Sequence, residues 1–288
     1  MIYLFLSIIS SSLIFLIFRA FSQFKVNTFT AIVINYLVAG ITGIIINGEA
    51  IDLNRMFLSE WSINGLVLGV VFISLFNIMA ITAQKFGASV ASIANKMALI
   101  IPVVFAILVY GDSLNVLKGI GIVLALLGVY LATVKPSQEK KQFNIKLFAI
   151  PIILFLGSGF IDTFLKYTQE YQLTTEQDSK LFTSLTFLTA FIIGLIVMLI
   201  DKSKRNLKLP SIIAGVILGI VNYGSIYFLI RTLEGANLES SVIFPINNMG
   251  VVILTTFLSL LIFKESFSIK NKIGVALSII AISIIAIA

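Results

Sequence analysis

The chain has 288 residues, of which 59% are hydrophobic and only 11% are charged. A water-exposed globular protein is excluded, because 13 acidic and 20 basic residues cannot form a polar exterior for a chain of this length. The net charge of +7 does not indicate nucleic acid, since the basic residues form short clusters between apolar runs. Cys and His are absent, which removes disulfides, the thiolate nucleophile and the commonest metal ligand. We therefore expect an all-α integral membrane protein without a metal or cofactor, and with the lipid bilayer as its first partner.

Ten apolar runs are each close to the roughly 20 residues that a helix needs to cross a bilayer. In chain order they cover 2–18, 28–46, 63–84, 88–110, 116–134, 147–167, 180–200, 210–230, 237–262 and 272–288. The first run lacks a basic leading region and a small-residue cleavage site, so it is expected to be a membrane helix rather than a removed signal peptide. The connections are short, and no extramembrane domain is expected in them.

The two halves of the chain resemble each other. Gly65-Leu-Val-Leu-Gly69 matches Gly215-Val-Ile-Leu-Gly219, and the turn at Gly87 matches the turn at Gly235. An acidic turn with Asp112 matches one with Glu265, and each pair is about 150 residues apart. Because each half holds five runs, an odd number, the second half enters the membrane with the opposite orientation. The sequence predicts two inverted five-helix repeats, 1–134 and 147–288, joined by the basic loop 135–146.

The closing pattern of each half, Gly111-Asp112-Ser113-Leu114 and Lys264-Glu265-Ser266-Phe267, each followed by an apolar helix, resembles the EamA repeat of the drug/metabolite transporter superfamily. The segments 222–228 and 240–248 are also similar to that family. The resemblance implies ten helices, a central cavity lined by both halves, and peripheral fifth and tenth helices. It implies a carrier of small solutes.

The basic residues orient the chain. Fourteen Lys and Arg residues fall in odd-numbered connections and five in or beside even-numbered ones, so the positive-inside rule places the odd connections in the cytoplasm and both termini outside. Members of the resembling family generally keep both termini in the cytoplasm. We follow the charges.

Lys96 is the most informative polar residue, because an ammonium at membrane depth is costly unless it is paired or hydrated. Lys96, with Asn95 beside it, is predicted to hold an anionic group of a substrate; a structural partner for a helix end or for Asp162 is the alternative. Asp162 is one helical turn before Lys166 and is the first candidate for a coupling proton, with Glu239 second. A structural ion pair is the alternative for Asp162.

Neutral hydrogen-bonding groups also fall at membrane depth, on helices that the family places around the cavity. They are expected to line a polar cavity, with interhelical hydrogen bonding as the alternative. These further predicted substrate-binding residues are Asn35, Tyr36, Asn77, Asn222, Tyr223, Tyr227, Asn247 and Asn248.

Prolines and glycines add two structural expectations. Pro102 and Pro245 can interrupt the fourth and ninth helices and free backbone carbonyls. The two Gly-x-x-x-Gly sequences, Gly65 to Gly69 and Gly215 to Gly219, are interpreted as sites of close helix packing rather than substrate contacts.

A secondary transporter is the function that these features favour, and export of amino acids or related metabolites is the first choice. Uptake or exchange of sugars or sugar phosphates is the alternative. An intramembrane enzyme ranks lower because no catalytic constellation is evident, and a channel ranks lower because rings of like charge are missing. No phosphate-binding loop of an ATP-driven pump is found. One chain suffices for a carrier, so a monomer or a homodimer is expected.

Overall fold

The computed structural model describes residues 2–47, 52–109, 116–133, 145–201, 204, 207–235, 240–265 and 267–287, and the regular structure within these residues is entirely helical. Within these residues twelve α-helices follow one another, with a 3₁₀ turn, Met97–Leu99, between the fifth and the sixth. The helices are α1 Ile2–Phe21, α2 Thr28–Asn47, α3 Leu53–Leu58, α4 Ser62–Phe86, α5 Ala88–Lys96, α6 Ile100–Val109, α7 Val116–Thr133, α8 Ile145–Tyr171, α9 Glu176–Ile200, α10 Leu209–Gly235, α11 Ser240–Phe263 and α12 Ile269–Ile287.

Eight helical stretches among the described residues are long and apolar enough to cross a membrane. They are Ile2–Phe21, Thr28–Ile46, Ser62–Phe86, Ala88–Phe105, Ala149–Gln169, Gln177–Ile200, Leu209–Thr232 and Ile246–Phe263. The apolar stretch Gly119–Ala132 is shorter. The prediction of an all-α, multi-pass membrane protein is confirmed, and the count of ten spans stays a prediction.

The fourth apolar run is broken where the sequence predicted an interruption. Helix α5 ends at Lys96, the 3₁₀ turn follows, and α6 begins at Ile100. Pro102 has no N–H to donate to the carbonyl of Ala98, so the α-helical hydrogen bond at this point is missing. A span with such a break has backbone carbonyls available for other donors.

The prediction of a second break, at Pro245, is wrong. Helix α11 runs from Ser240 to Phe263 without interruption. Pro245 is the sixth residue described in this helix, so its missing N–H leaves only the Ser241 carbonyl without its α-helical donor, and the helix continues through it. Pro151 is tolerated in the same way near the start of α8. The short helix α3, in the connection after α2, was not predicted.

The chain contacts divide the protein into two compact units. Unit 1 comprises Met1–Arg19, Ile78–Phe160 and Gly224–Ala288, and unit 2 comprises Ala20–Asn77 and Ile161–Tyr223. Each unit draws helices from both halves of the sequence. Each is described by itself below.

Glycines bring helices together in unit 2. On α4, a Cβ atom added at Gly65 would lie 3.0 Å from Leu185 of α9, and one at Gly69 would lie 2.5 Å from Thr189. On α10, a Cβ atom at Gly219 would lie 2.7 Å from Val38 of α2. Both Gly-x-x-x-Gly sequences therefore lie against a neighbouring helix, which confirms their predicted packing role.

Helices α7 and α12 pack against each other in unit 1. A Cβ atom at Gly128 would lie 2.5 Å from the hydroxyl of Ser278, and Gly274 contacts the backbone at Ala132 in return. Asn271, at the start of α12, donates from Nδ2 to the Ala132 carbonyl at 2.8 Å, near the end of α7. Buried residues of α5, α7, α11 and α12 form the adjoining apolar core, which includes Ile93.

The glycine contacts predict a selective loss of stability. We expect Gly219→Ala to lower the free energy of unfolding by about 1–3 kcal/mol, because the new Cβ would overlap Val38 and the Asn35 carbonyl. Gly119→Ala is the matched control, since nothing lies within 4 Å of a Cβ there. Thermal unfolding of the purified proteins in detergent measures both, and equal midpoints for the two variants would contradict the packing role.

Candidate functional site

The structure distributes the predicted site residues over both compact units. Unit 2 contains Asn35, Tyr36, Asn77, Asp162, Asn222 and Tyr223. Unit 1 contains Asn95, Lys96, Tyr227, Asn247 and Asn248. Glu239 lies outside the described residues.

Asn35 of α2 and Asn222 of α10 come together in unit 2. Both side chains are buried, and the end of the Asn35 amide lies 3.2 Å from Nδ2 of Asn222. Oriented with its nitrogen toward α10, Asn35 donates to the carbonyl of Leu218 at 3.3 Å and accepts from the N–H of Tyr36 at 3.2 Å. The close approach at Gly219 makes this contact possible. In this orientation the Asn35 amide links α2 to α10 through the Leu218 carbonyl.

Tyr36 is fully buried beside this amide pair. Its ring centroid lies 5.3 Å from that of Phe76 and 6.0 Å from that of Phe187. Within the described part of the chain, the Tyr36 hydroxyl has no hydrogen-bond partner. Leaving a buried hydroxyl unpaired costs about 1–3 kcal/mol, so this group is available to a ligand or to another conformation of the protein.

The other predicted residues of unit 2 have different environments. Asn77 donates from Nδ2 to the Ile73 carbonyl at 2.8 Å, within its own helix. Tyr223 of α10 lies against Gly43 of α2, its Cε2 atom 3.3 Å from where a Cβ would be. Asp162 is exposed on α8 although it lies inside the apolar stretch Ala149–Gln169. A carboxylate at that depth requires water or a polar partner.

In unit 1, Asn95 and Lys96 lie at the break in the fourth apolar run. Asn95 donates from Nδ2 to the Ser158 hydroxyl of α8 at 2.8 Å, which holds the end of α5 in place. Lys96, the last residue of α5, is half-buried. A cation at a helix C-terminus is favoured by the helix dipole, and the 3₁₀ turn Met97–Leu99 follows Lys96 directly. This end of α5 therefore combines a charge, an amide and an irregular backbone.

A polar row on α11 also lies in unit 1. Polar side chains at Asn247, Thr255 and Ser259, and the backbone carbonyl of Val251, recur every four residues and so share one face of the helix. Ser7 Oγ lies 3.1 Å from Asn247 Oδ1, and it also lies 3.1 Å from the Ser225 carbonyl of α10. Ser12 donates to the Val251 carbonyl at 3.4 Å. The hydroxyls of Ser89 and Ser259 form a hydrogen bond with each other. The hydroxyl of Thr255 is buried without a partner among the described residues.

Asn248 and Tyr227 are half-buried in unit 1. The Tyr227 ring makes an edge contact with Phe228, with the centroids 5.5 Å apart. The serines that bind the predicted amides, Ser7 and Ser158, were missed from the sequence. Their signal was a serine within an apolar run, which by itself does not identify a partner.

A second polar network in unit 2 was also missed. Arg55 of α3 binds Asp178 of α9, with Nε 2.8 Å from Oδ1, and Trp61 donates to the same oxygen at 3.3 Å. Asp178 also forms a capping box with Thr175 at the start of α9. The hydrogen bond to Asp178 raises the pKa of the Arg55 guanidinium. These contacts fasten the connection after α2 to the start of α9.

Comparison with known proteins identifies the class. The model of the EamA-like transporter family matches residues 1–134 and 147–287, and the chain belongs to this family of membrane transporters, within the drug/metabolite transporter superfamily. An uncharacterized protein from Haemophilus influenzae is 29% identical over 219 residues, which are 75% of this chain and 72% of that protein. A solved crystal structure superposes with a TM-score of 0.61 at 15% identity over 96% of this chain and 95% of its own, a likeness of fold.

The two neighbouring buried residues of α2 are expected to differ in their effect on stability. Asn35→Ala should lower the free energy of unfolding by about 1–2 kcal/mol, because it removes the hydrogen bond to the Leu218 carbonyl of α10. Tyr36→Phe should leave it unchanged or raise it, because the hydroxyl has no partner in the described structure. Thermal unfolding in detergent compares the two, and a loss in Tyr36→Phe equal to that in Asn35→Ala would show that the hydroxyl is paired.

Proposed function

We propose that this protein is a secondary active transporter that exports small metabolites, amino acids or related organic solutes, by alternating access. The observation that carries this proposal is the broken span, in which a half-buried lysine ends one helical segment at membrane depth. Interrupted spans with charged or polar groups at the break are where many transporters bind their substrates.

The contacts between connections support ten alternating spans. Each connection takes the number of the apolar run that it follows. Each contact given below joins two odd-numbered or two even-numbered connections, which is required if every run crosses the membrane once, because such connections then lie on the same side. Near odd connections, the pairs are Arg19 with Glu265, Asn27 with Ser211, and Asn271 with Ala132; near even connections, Arg55 pairs with Asp178. Ten spans with five in each half entail the inverted repeat.

The glycine contacts support the same arrangement. Gly65 and Gly69 of α4 pack on α9, and Gly215 and Gly219, their counterparts 150 residues later, pack on α2. In the proposed repeats, α4 corresponds to α10 and α2 to α9, so the two contacts are equivalent. The repeats comprise 1–134 and 147–288, with 135–146 as the linker.

In this proposal, Lys96 binds the carboxylate or other anionic group of the solute, and Asn95 orients the end of α5 through Ser158. Amide and phenol groups supply the neutral hydrogen bonds; these are Asn35, Tyr36, Asn77, Asn222, Tyr223, Tyr227, Asn247 and Asn248. Asp162 is the first carboxylate for a coupling proton, because it is exposed within an apolar stretch, and Glu239 is the second. The carrier acts in the plasma or inner membrane, as a monomer or a homodimer.

Transport in proteoliposomes tests the solute class. A panel of amino acids, organic anions, sugars and sugar phosphates is offered with and without a pH gradient. We expect uptake of a carboxylate-bearing solute, reduced at least about tenfold by Lys96→Ala, because removal of a charge-assisted contact costs about 1.5–3 kcal/mol. Asp162→Asn should abolish the response to the pH gradient.

Lys270→Ala, which removes an exposed lysine at the start of α12, is the matched control and should transport normally. Undiminished transport in Lys96→Ala would refute the assigned binding residue. If a sugar phosphate were the sole solute transported, the alternative solute class would be correct instead of amino acids. Lys96 can bind a phosphate as well as a carboxylate.

The orientation is tested by labelling single cysteines, since the native chain has none. Lys25→Cys and Glu60→Cys introduce thiols at exposed positions in the first and second connections. Because the charges place odd connections in the cytoplasm, an impermeant maleimide applied to intact cells should label Glu60→Cys and spare Lys25→Cys. The reverse pattern would put both termini in the cytoplasm, as in the family's usual members.

A further inference from the structure

Glu265, the acidic residue of the second-half turn, binds residues from the first half of the chain. Helix α11 ends at Phe263, and Lys264 takes a left-handed backbone conformation with φ of 49°, which turns the chain after the helix. The Glu265 carboxylate accepts a hydrogen bond from the N–H of Ala88, the first residue of α5, at 3.0 Å. A carboxylate at this place also meets the positive end of the helix dipole.

Arg19, near the end of α1, completes the contact. Its Nε lies 3.3 Å from Oε1 of Glu265, and its Nη1 donates to the carbonyl of Gln84 near the end of α4. Only 10% of the Glu265 side chain is exposed. The ion pair is thus largely removed from solvent. If one partner loses its charge, the charge of the other partner is left uncompensated.

Gly87 shows how closely the carboxylate approaches the turn before α5. Its φ of 107° is in the region that favours glycine, and an added Cβ atom would lie 2.6 Å from Oε2 of Glu265. The turn therefore requires glycine for its backbone conformation and for the space that the carboxylate occupies. One acidic side chain joins the ends of α1 and α4, the start of α5 and the turn after α11.

Helix α5 is a short and mostly buried helix. It has nine residues, of which Ala88 through Ala94 are buried, and the 3₁₀ turn separates it from α6. Its far end, about 12 Å from Ala88, carries Asn95 and Lys96. A displacement of its first turn is therefore transmitted to both of these residues.

We propose that Glu265 is a positioning residue for transport: its carboxylate fixes the start of α5 against Arg19, and its release from this contact lets α5 move with Asn95 and Lys96. This inference rests on the proposed function for the role of Lys96. A helix cap without any part in the transport cycle is the competing explanation, and the two make different predictions for charge-neutral variants.

Glu265→Gln separates the two roles, because the glutamine oxygen still accepts from the Ala88 N–H while the ion pair is lost. The reporter is Ser92→Cys, which places the single thiol of the chain at a fully buried position of α5. We expect maleimide to label this thiol at least about fivefold faster in Glu265→Gln than in its parent, at a temperature well below the unfolding midpoint of either protein. Arg19→Gln should give the same increase, and the double variant no more than either single variant.

Lys270→Gln is the matched control and should leave the labelling rate unchanged. With the transported solute, Glu265→Gln should lower the maximal rate at least about threefold while KM changes less than twofold, because binding groups are retained and the movement is altered. An unchanged labelling rate in both Glu265→Gln and Arg19→Gln would overturn the proposal. So would labelling rates that add up in the double variant while the unfolding midpoint falls in proportion. Because labelling needs no cargo, faster labelling without detectable transport would retain the positioning of α5 and refute the transport function instead.

Discussion

Close contact between helix backbones at glycine is the constraint on which the described structure depends. Lipid tails are as apolar as the side chains of this protein, so burial of apolar surface gives little drive for one helix to bind another, and dispersion contacts and interhelical hydrogen bonds must do so. Gly69 brings α4 onto α9, Gly219 brings α10 onto α2, and Gly274 brings α12 onto α7. The hydrogen bonds between helices then form at or beside these places, as Asn35 with Leu218 shows.

The polar groups at membrane depth fall into two kinds. Those that bind a neighbouring helix, such as Asn95 to Ser158 and Asn247 to Ser7, hold the bundle in its present conformation. Those that bind none among the described residues, the hydroxyls of Tyr36, Thr255 and Thr256, reduce its stability.

Two carboxylates at helix N-termini show how charge is used near the ends of the bundle. Asp178 caps its own helix, α9, and binds Arg55 of α3. Glu265 caps a helix from the other half of the chain, α5, and pairs with Arg19 of α1. In each case an arginine compensates the charge, and the helix start is fixed relative to a distant segment. The acidic turn that carries the family resemblance thus has a physical role in the position of α5.

The sequence by itself determined the location of the long helices, the packing role of the two Gly-x-x-x-Gly sequences and an interruption of the fourth apolar run near Pro102. These follow from local causes: the length of an apolar run, the absence of a side chain and the missing N–H of Pro102. Even so, the expected break at Pro245 is absent, since α11 continues through this residue with one backbone hydrogen bond fewer. Only the tertiary structure decided that Asn95 binds Ser158, that Asn35 meets Asn222, and that Glu265 joins Ala88 to Arg19. These partners are 63 to 246 residues apart, and no local pattern sets the relative rotation of two helices that brings such side chains within hydrogen-bonding distance.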